Sequence, residues 1–187
     1  VINMIGSDNI AFYMNGGSIV NNEAINGTAG LSNIGIASIG GTVTNNAAIN
    51  VGDSVVKRDS QGNIEAASSI FAIGIYGDGS SITNNGTITM GKDSVGLYAK
   101  DASTTVINTG NVISNSTGAI GLFVENSTIN NTGNITLSGA GSIGIAAVNN
   151  GHVINTGTIT MDGENSKGVY LRVNSTLDNN GGTIIIN

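Results

Sequence analysis

The amino-acid sequence predicts an all-β protein, a right-handed single-stranded parallel β-helix of about seven coils, each roughly 24 residues long. One motif recurs along the whole chain. Within each copy, apolar residues alternate with small or polar ones, which is the period of half-buried strands. The composition, with 29 Gly, no Pro and 10% charged residues, disfavours both a helical bundle and a charge-rich disordered tail.

An asparagine marks the same corner in every copy of the repeat. Successive corner asparagines are 24, 39, 24, 23, 24 and 24 residues apart, and this regularity indicates a solenoid. Asparagine side chains stacked along a rod can hydrogen-bond to one another, and asparagine tolerates the backbone angles of turns. We therefore predict a structural asparagine ladder. Its members are Asn21, Asn45, Asn84, Asn108, Asn131, Asn155 and Asn179.

Three short strands are predicted in each coil. An aliphatic residue stands two positions before each corner asparagine, and another stands four positions after six of the seven. The third strand carries a glycine that usually lies between two aliphatic residues, as in Val95-Gly96-Leu97. Alternation predicts that both flanking residues face the core and that the glycine faces outward. Lys167, which precedes Gly168, breaks this pattern, and we attribute the break to a fraying end.

The charge pattern and the residue types exclude several classes of function. The net charge is −6 with only six Lys and Arg, so neither nucleic acid nor an anionic membrane is an expected partner. The chain has no cysteine and a single histidine, His152, so no disulfide framework, metal site or cofactor is predicted. No run of 18 apolar residues and no signal peptide is found in the sequence, so this segment is not expected to insert into a membrane.

Several units of the repeat resemble those of a known protein family. SVGLYA, AIGLFV, NTGTITM and NNGTITM are similar to the coils of type V secretion autotransporter passenger domains, particularly the large fusobacterial-type autotransporter adhesins. The similarity covers nearly the whole chain. It implies a secreted virulence factor at the bacterial cell surface, a stalk that mediates adhesion to a protein or glycan receptor on host cells or other bacteria. It also implies anchoring in the outer membrane through a C-terminal barrel, which makes residues 1–187 a fragment of a longer array.

The largest departure from the repeat is an insertion at residues 52–69, which produces the spacing of 39. Its apolar ends and polar centre predict a hairpin that turns near Gln61 and Gly62 and protrudes from the rod. Loops on rigid scaffolds frequently carry recognition, although a tolerated insertion is the alternative. The candidate partner-binding residues are Lys57, Arg58, Asp59, Gln61, Asn63 and Glu65.

An aromatic face is predicted at the position two residues after the repeat glycine. All four tyrosines of the chain occupy this position, and alternation predicts that they face outward. Such rings can stack on sugars or receive a protein partner. The alternative, which we favour, is that each ring covers the bare backbone of a neighbouring strand glycine. The residues are Tyr13, Tyr76, Tyr98, Phe123 and Tyr170.

The function predicted from these features is structural and adhesive, with no enzymatic activity. The alternative is a glycan-processing β-helix, a lyase or a tail-spike-like hydrolase, with Asp78, Asp101 and Glu125 as an acidic row. Catalysis by carboxylates requires converging groups in a pocket, and the sequence predicts none. Ice binding is a third class, but the outward pair Thr87 and Thr89 is not repeated in most coils.

Overall fold

The computed structural model describes residues 1–187 as a β-solenoid of about eight turns, in which all named strands pair in parallel. The predicted fold class, a right-handed parallel β-helix, is confirmed. In chain order the strands are β1 (Ile2–Asn3), β2 (Ile10–Asn15), β3 (Ser18–Asn21), β4 (Ile25–Gly27), β5 (Ile34–Asn45), β6 (Ile49–Val51), β7 (Ile73–Asn84), β8 (Ile88–Met90), β9 (Val95–Lys100), β10 (Thr105–Asn108), β11 (Val112–Ser114), β12 (Ile120–Glu125), β13 (Thr128–Asn131), β14 (Ile135–Leu137), β15 (Ile143–Val148), β16 (His152–Asn155), β17 (Thr158–Met161), β18 (Lys167–Leu171), β19 (Thr176–Asp178) and β20 (Thr183–Ile186).

The strands form three faces along the rod. The glycine face contains β2, the first halves of β5 and β7, and then β9, β12, β15 and β18. The asparagine face contains β3, the second halves of β5 and β7, and then β10, β13, β16 and β19. The third face is an eight-stranded sheet in the order β1-β4-β6-β8-β11-β14-β17-β20. Counting corner asparagines gives seven coils because no corner asparagine precedes β1.

The only helix is a three-residue 3₁₀ turn, Ala66–Ser68, in the insertion. No helix of the protein has the length and apolar character needed to cross a membrane.

The core is a column of aliphatic side chains contributed by all three faces. Most of the aliphatic residues predicted on either side of the corner asparagine, such as Val106 and Val112, are buried in it, and Ile19 and Leu177 near the two ends are partly buried. The glycine face contributes the residue after each glycine, such as Leu97. Because no coil can bury these side chains alone, each coil depends on the coils above and below it.

The repeat glycines face the core, and the prediction that they face outward is wrong. A Cβ built on Gly96 lies 2.7 Å from Cγ1 of Val112 and 2.9 Å from Sδ of Met90, both core side chains. It also lies 2.6 Å from the carbonyl oxygen of Gly121 in the next coil. The glycine occupies the corner where the chain enters the glycine face, and only a residue without Cβ permits this approach.

The residue before each glycine therefore points outward. Val95, which we predicted to be part of the core, is buried with only 6% of its surface exposed, but it and its equivalents lie outside the core column. The cross-strand register passes from Ile120 opposite Val95 to Leu122 opposite Leu97 and leaves the glycine unpaired, which is an irregularity that strict alternation does not anticipate. Lys167 now has a simple explanation, because this position lies outside the core column and Lys167 is exposed to solvent.

The asparagine side chains are hydrogen-bonded along the whole rod. Each Nδ2 group donates to Oδ1 of the asparagine in the next coil at 2.7–2.8 Å, from Asn21 to Asn179. From Asn45 onward, the same Nδ2 group donates to a backbone carbonyl two or three residues ahead. None of the seven has a positive φ, so left-handed backbone angles do not explain the choice of asparagine. Amide pairing does explain it, since buried amides require partners.

Candidate functional site

The insertion forms a hairpin between β6 and β7. Val55 pairs with Ile70 and Arg58 pairs with Ile64, both in antiparallel bridges. At the tip, the Asp59 carboxylate accepts hydrogen bonds from the backbone N–H groups of Gln61 at 2.9 Å and Asn63 at 2.8 Å, and from Asn63 Nδ2 at 3.0 Å. These bonds, first that from the Asn63 side chain, lower the pKa of Asp59. The turn is therefore closed by its own side chains.

An ion pair ties the hairpin to the rod. Nη2 of Arg58 lies 2.7 Å from Oδ1 of Asp93, and Nη1 of Arg58 donates to the carbonyl of Gly62 at 3.2 Å. The Asp93 side chain is only 6% exposed, whereas that of Arg58 is 44% exposed. Asp93 lies in the turn before β9, one coil beyond the hairpin. The hairpin consequently lies along the glycine face rather than standing free of it.

Three aromatic rings of the glycine face form a continuous cluster, which we call the three-ring stack. The centroids of Tyr76 and Tyr98 are 5.2 Å apart and those of Tyr98 and Phe123 are 4.8 Å apart, with interplanar angles of 80° and 77°. Edge-to-face pairs of this kind contribute about 0.5–1.5 kcal/mol each beyond their buried area. The stack spans the coils of β7, β9 and β12.

The hairpin and the three-ring stack enclose an apolar groove. Its floor is formed by Ile73, Val95 and Ile120, the outward residues that precede the glycines in three successive coils. The cavity measures about 280 Å³. All eight lining residues are apolar or aromatic; they are Ile64, Ala66, Phe71, Ile73, Val95, Tyr98, Ile120 and Phe123. An exposed apolar concavity beside an inserted loop is the usual form of a recognition site.

Comparison with known proteins supports the same architecture. The family model for the BigA third pectate lyase-like domain matches residues 2–119, which is more than half of the chain. The chain belongs to this family. The matched BigA-type region begins with β1 and includes the hairpin, β7, β9 and most of the residues that enclose the groove. No curated protein and no solved structure matches the chain.

The pectate lyase-like description of the BigA-type domain is a resemblance of fold, and the three acids of the predicted row each have different partners. Asp78 accepts a hydrogen bond from the Tyr76 hydroxyl at 3.1 Å and lies 3.5 Å from Nζ of Lys100. Asp101 accepts hydrogen bonds from the backbone N–H and the hydroxyl of Ser103, and these bonds lower its pKa. No group of three or more His, Asp or Glu side chains of the BigA-type chain is placed to hold a metal ion.

The tyrosine hydroxyls of the stack are engaged by carboxylates. Tyr98 donates to Oε2 of Glu125 at 2.5 Å, while Asn149 Nδ2 donates to Oε1 of the same carboxylate at 3.2 Å. Burial, followed by the hydrogen bond to Asp78, raises the pKa of Tyr76 to about 12. Burial and the bond to Glu125 likewise raise the pKa of Tyr98. The two hydroxyls are thus held as hydrogen-bond donors to neighbouring acids.

The predicted site residues divide into two groups. In the first group, Tyr98 and Phe123 line the groove, Tyr76 packs against Tyr98 in the three-ring stack, and Arg58 fixes the hairpin. Tyr13 and Tyr170 lie outside it, because Ala37 separates Tyr13 from Tyr76 and Ala146 separates Phe123 from Tyr170 in the cross-strand register. Asp59 and Asn63 close the tip of the hairpin, and the side chains of Lys57, Gln61 and Glu65 are exposed to solvent.

Sequence reasoning did not identify the groove floor. Ile73, Val95 and Ile120 were placed in the core, because strict alternation puts both neighbours of an outward glycine inside. The exception at Lys167 carried the missing signal, since a lysine cannot occupy a core position unpaired. The inward direction of the glycines also leaves no bare outward glycine beside Tyr98, which removes the premise that its ring covers one.

Proposed function

We propose that this protein is a structural and adhesive segment of a bacterial surface protein of the autotransporter passenger type, and that its hairpin and apolar groove bind a receptor. The observation that supports adhesion is the groove itself. It is the place where the regular rod departs from its repeat, and it is lined by apolar side chains outside the core column, of which Ile64 is 40% exposed. The similarity of the repeat units to autotransporter adhesins and the membership in the BigA-type family support the same proposal.

The rest of the rod fits the role of a rigid stalk. No buried side-chain nitrogen or oxygen lacks a hydrogen-bond partner, and the asparagine ladder continues from Asn21 to Asn179. A solenoid whose polar groups are satisfied in this way projects a site away from a surface without a globular body. A stalk without adhesive activity is the outcome that would remain if the groove bound nothing.

We further propose that the parent protein continues into additional coils, and that a membrane barrel anchors it in the outer membrane of the bacterial cell. This proposal is supported by the similarity of the repeat units to autotransporter passenger domains and by the membership in the BigA-type family.

The test is removal of the hairpin with the coil left intact. Deleting residues 55–71 joins Ser54 to Ala72 and leaves four residues between Val51 and Ile73, the same number that separates Met90 from Val95 in the next coil. We expect beads coated with the wild-type chain to adhere to host epithelial cells or to bacteria, and beads coated with the deletion variant to lose adhesion. The variant should keep its β-sheet circular dichroism spectrum.

A matched control removes surface polarity without touching the groove. Replacing Thr158 and Thr160 by alanine changes partly exposed positions on β17, in a coil that contributes no residue to the groove, and adhesion should be unaffected. Equal adhesion by the wild-type and deletion beads would show that the hairpin is a tolerated insertion in a stalk.

A further inference from the structure

The geometry points to a specific ligand for the apolar groove: we infer that it binds an extended peptide segment of a protein partner, with one large apolar side chain in the groove and a basic side chain close to it in sequence that meets Glu125. This inference rests on the proposed adhesive function and names the chemistry of its ligand. It is carried by the size of the groove, its lining and the charges at its edge.

The groove is large enough to admit a large apolar side chain. Its volume of about 280 Å³ lies close to the lower end of the range of about 300–1,000 Å³ that is typical of ligand pockets. Its floor residues, Ile73, Val95 and Ile120, are fixed by strands in three successive coils. A receptor side chain therefore enters a preformed site, which reduces the conformational entropy lost on binding.

The lining disfavours a glycan. All eight lining residues are apolar or aromatic, so sugar hydroxyls placed there would lose their hydrogen bonds to water without replacement. The one hydroxyl among the lining residues belongs to Tyr98, and it already donates to Glu125 at 2.5 Å. An apolar side chain of a peptide has no such cost, and aromatic anchors in desolvated pockets dominate many protein interfaces.

The charges beside the three-ring stack favour a basic neighbour for that anchor. Lys100 lies in register between Asp78 and Glu125, and its ammonium group is 3.5 Å from the Asp78 carboxylate. Glu125 takes part in none of the three ion pairs of the chain. Asp78 thus has a counter-charge in Lys100 and Glu125 has none, on a chain whose net charge is −6. A Lys or Arg in the ligand restores the balance, and a purely apolar ligand does not.

The first experiment uses labelled synthetic peptides with the intact 187-residue chain. The probes are fluorescein-labelled Gly/Ser peptides that contain one Phe and one Arg, separated by zero to three residues. Fluorescence anisotropy should show at least one spacing that binds. Replacing its Phe by Ser should weaken binding by about tenfold or more, the effect expected of a buried anchor. Replacing its Arg by Glu should weaken binding by a smaller factor.

The second experiment locates the binding with a matched pair of variants. Ile120→Lys places a charge on the groove floor, whereas Ile143→Lys makes the same change at the equivalent position one coil further on, outside the groove. Lys167 occupies the corresponding position in the coil after that, so the fold accommodates lysine there. Ile120→Lys should weaken peptide binding by about tenfold or more, and Ile143→Lys should leave it unchanged.

A third variant tests the basic side chain separately. Glu125→Gln keeps an oxygen for the Tyr98 hydroxyl and removes the charge. It should abolish the preference for Arg over Glu in the peptide while the preference for Phe over Ser persists. Melting temperatures of all three variants should be measured alongside binding, so that loss of binding is read only from folded protein.

Some results would overturn the inference. Equal binding of the peptides to the wild type and to Ile120→Lys would show that the groove is not the binding site. If glycan probes bound to the wild type and not to Ile120→Lys, the ligand of the groove would be a sugar and not a peptide. Absence of binding by every Phe-Arg peptide, while deletion of residues 55–71 still abolishes cell adhesion, would reject the peptide ligand but leave the adhesive function standing. Peptide binding without any cell adhesion would reject the adhesive function but leave the peptide-binding groove standing.

Discussion

The asparagine face and the glycine face are made of the same repeat but differ in how regularly their side chains are buried and their strands are paired. On the asparagine face every corner amide has a partner in a neighbouring coil, and the aliphatic residue two positions before it is buried in every coil except at Ile19 and Leu177 near the ends. On the glycine face the strand register is interrupted at the glycine, and the apolar residue before the glycine points outward. In three coils the hairpin partly covers these outward residues. Regular periodicity therefore builds the rod, and its local failure builds the surface available for recognition.

The largest effect is expected from breaking the asparagine ladder in its middle. Asn108 accepts from Asn84 Nδ2 at 2.8 Å, donates to Asn131 Oδ1 at 2.7 Å and donates to the Gly110 carbonyl at 3.1 Å, and all of its side chain is buried. Asn108→Ala leaves these buried groups without partners. At about 1–3 kcal/mol for each unsatisfied group, we expect the free energy of unfolding to fall by about 3–5 kcal/mol. Urea denaturation followed by circular dichroism measures it.

A second, exposed ladder provides the control. Asn85 Nδ2 donates to Asn46 Oδ1 at 2.8 Å on the solvent side of the same corner. Water replaces the partners of an exposed amide, so Asn85→Ala should cost less than about 0.5 kcal/mol. If both alanine variants unfolded at the same urea concentration, burial would not be what makes the inner ladder stabilising.

The next largest effect is expected where the glycine face turns its corner. Gly96→Ala adds a Cβ 2.6 Å from a backbone oxygen of the neighbouring coil, which cannot rotate away as a side chain can. Overpacking of this kind typically costs about 1–3 kcal/mol, and we expect the upper end of that range. Gly6→Ala is the matched change, because the nearest atom there is a side-chain nitrogen of Asn9 at 3.3 Å and the glycine is exposed. A nearly unchanged stability of Gly96→Ala would mean that the glycine does not face the core.

The difference between the two faces also explains which parts of the fold could be predicted from the sequence. The corner asparagines and the aliphatic residues around them repeat at a fixed spacing, so their burial and the parallel stacking of coils followed directly from the pattern. Val95 could not be placed in this way. Its direction depends on an irregular backbone at Gly96, and a period of two in the sequence contains no information about where that period is interrupted.

The groove was out of reach for a related reason. The hairpin and the tyrosines were each visible in the sequence, but they appeared as separate features. Arg58 and Asp93 are 35 residues apart, and the contact between them holds the hairpin beside the tyrosines. No spacing rule links an inserted loop to the coil after it, so long-range contacts of this kind require the structure.

A smaller effect is expected from releasing the hairpin. Arg58→Ala leaves the carboxylate of Asp93 buried without its counter-charge, but Arg58 itself is partly exposed and its contribution is screened by solvent. We expect a loss of about 1–2 kcal/mol, between the values for exposed and buried pairs. Hydrogen exchange should accelerate at the amides of Val55 and Ile70, which bond to each other across the hairpin at 2.9 and 2.8 Å.

Lys57→Ala is the control for this release. Lys57 is the neighbouring basic residue, and it is exposed and forms no ion pair. In the Lys57→Ala variant, the amides of Val55 and Ile70 should exchange at the same rate as in the wild type. Faster exchange in both variants would attribute the effect to loss of positive charge on the hairpin rather than to the contact with Asp93.

The smallest expected effect is a pH-dependent change in stability that arises from Tyr76 in the three-ring stack. In the folded protein the pKa of Tyr76 is about 12, whereas the ordinary pKa of a tyrosine is about 10. Below pH 10 the hydroxyl is protonated in both the folded and the unfolded state, so its stabilising contribution is fully present. Between pH 10 and 12 the unfolded chain releases the proton first, and the contribution declines as the pH rises. Tyr76→Phe removes this ionisation, so the difference in urea midpoint between the wild type and the variant should be constant up to pH 10 and then shift against the wild type. A difference that does not change between pH 9 and 12 would show that Asp78 and burial do not hold the Tyr76 proton, and absorbance at 295 nm in the same samples reports the ionisation directly.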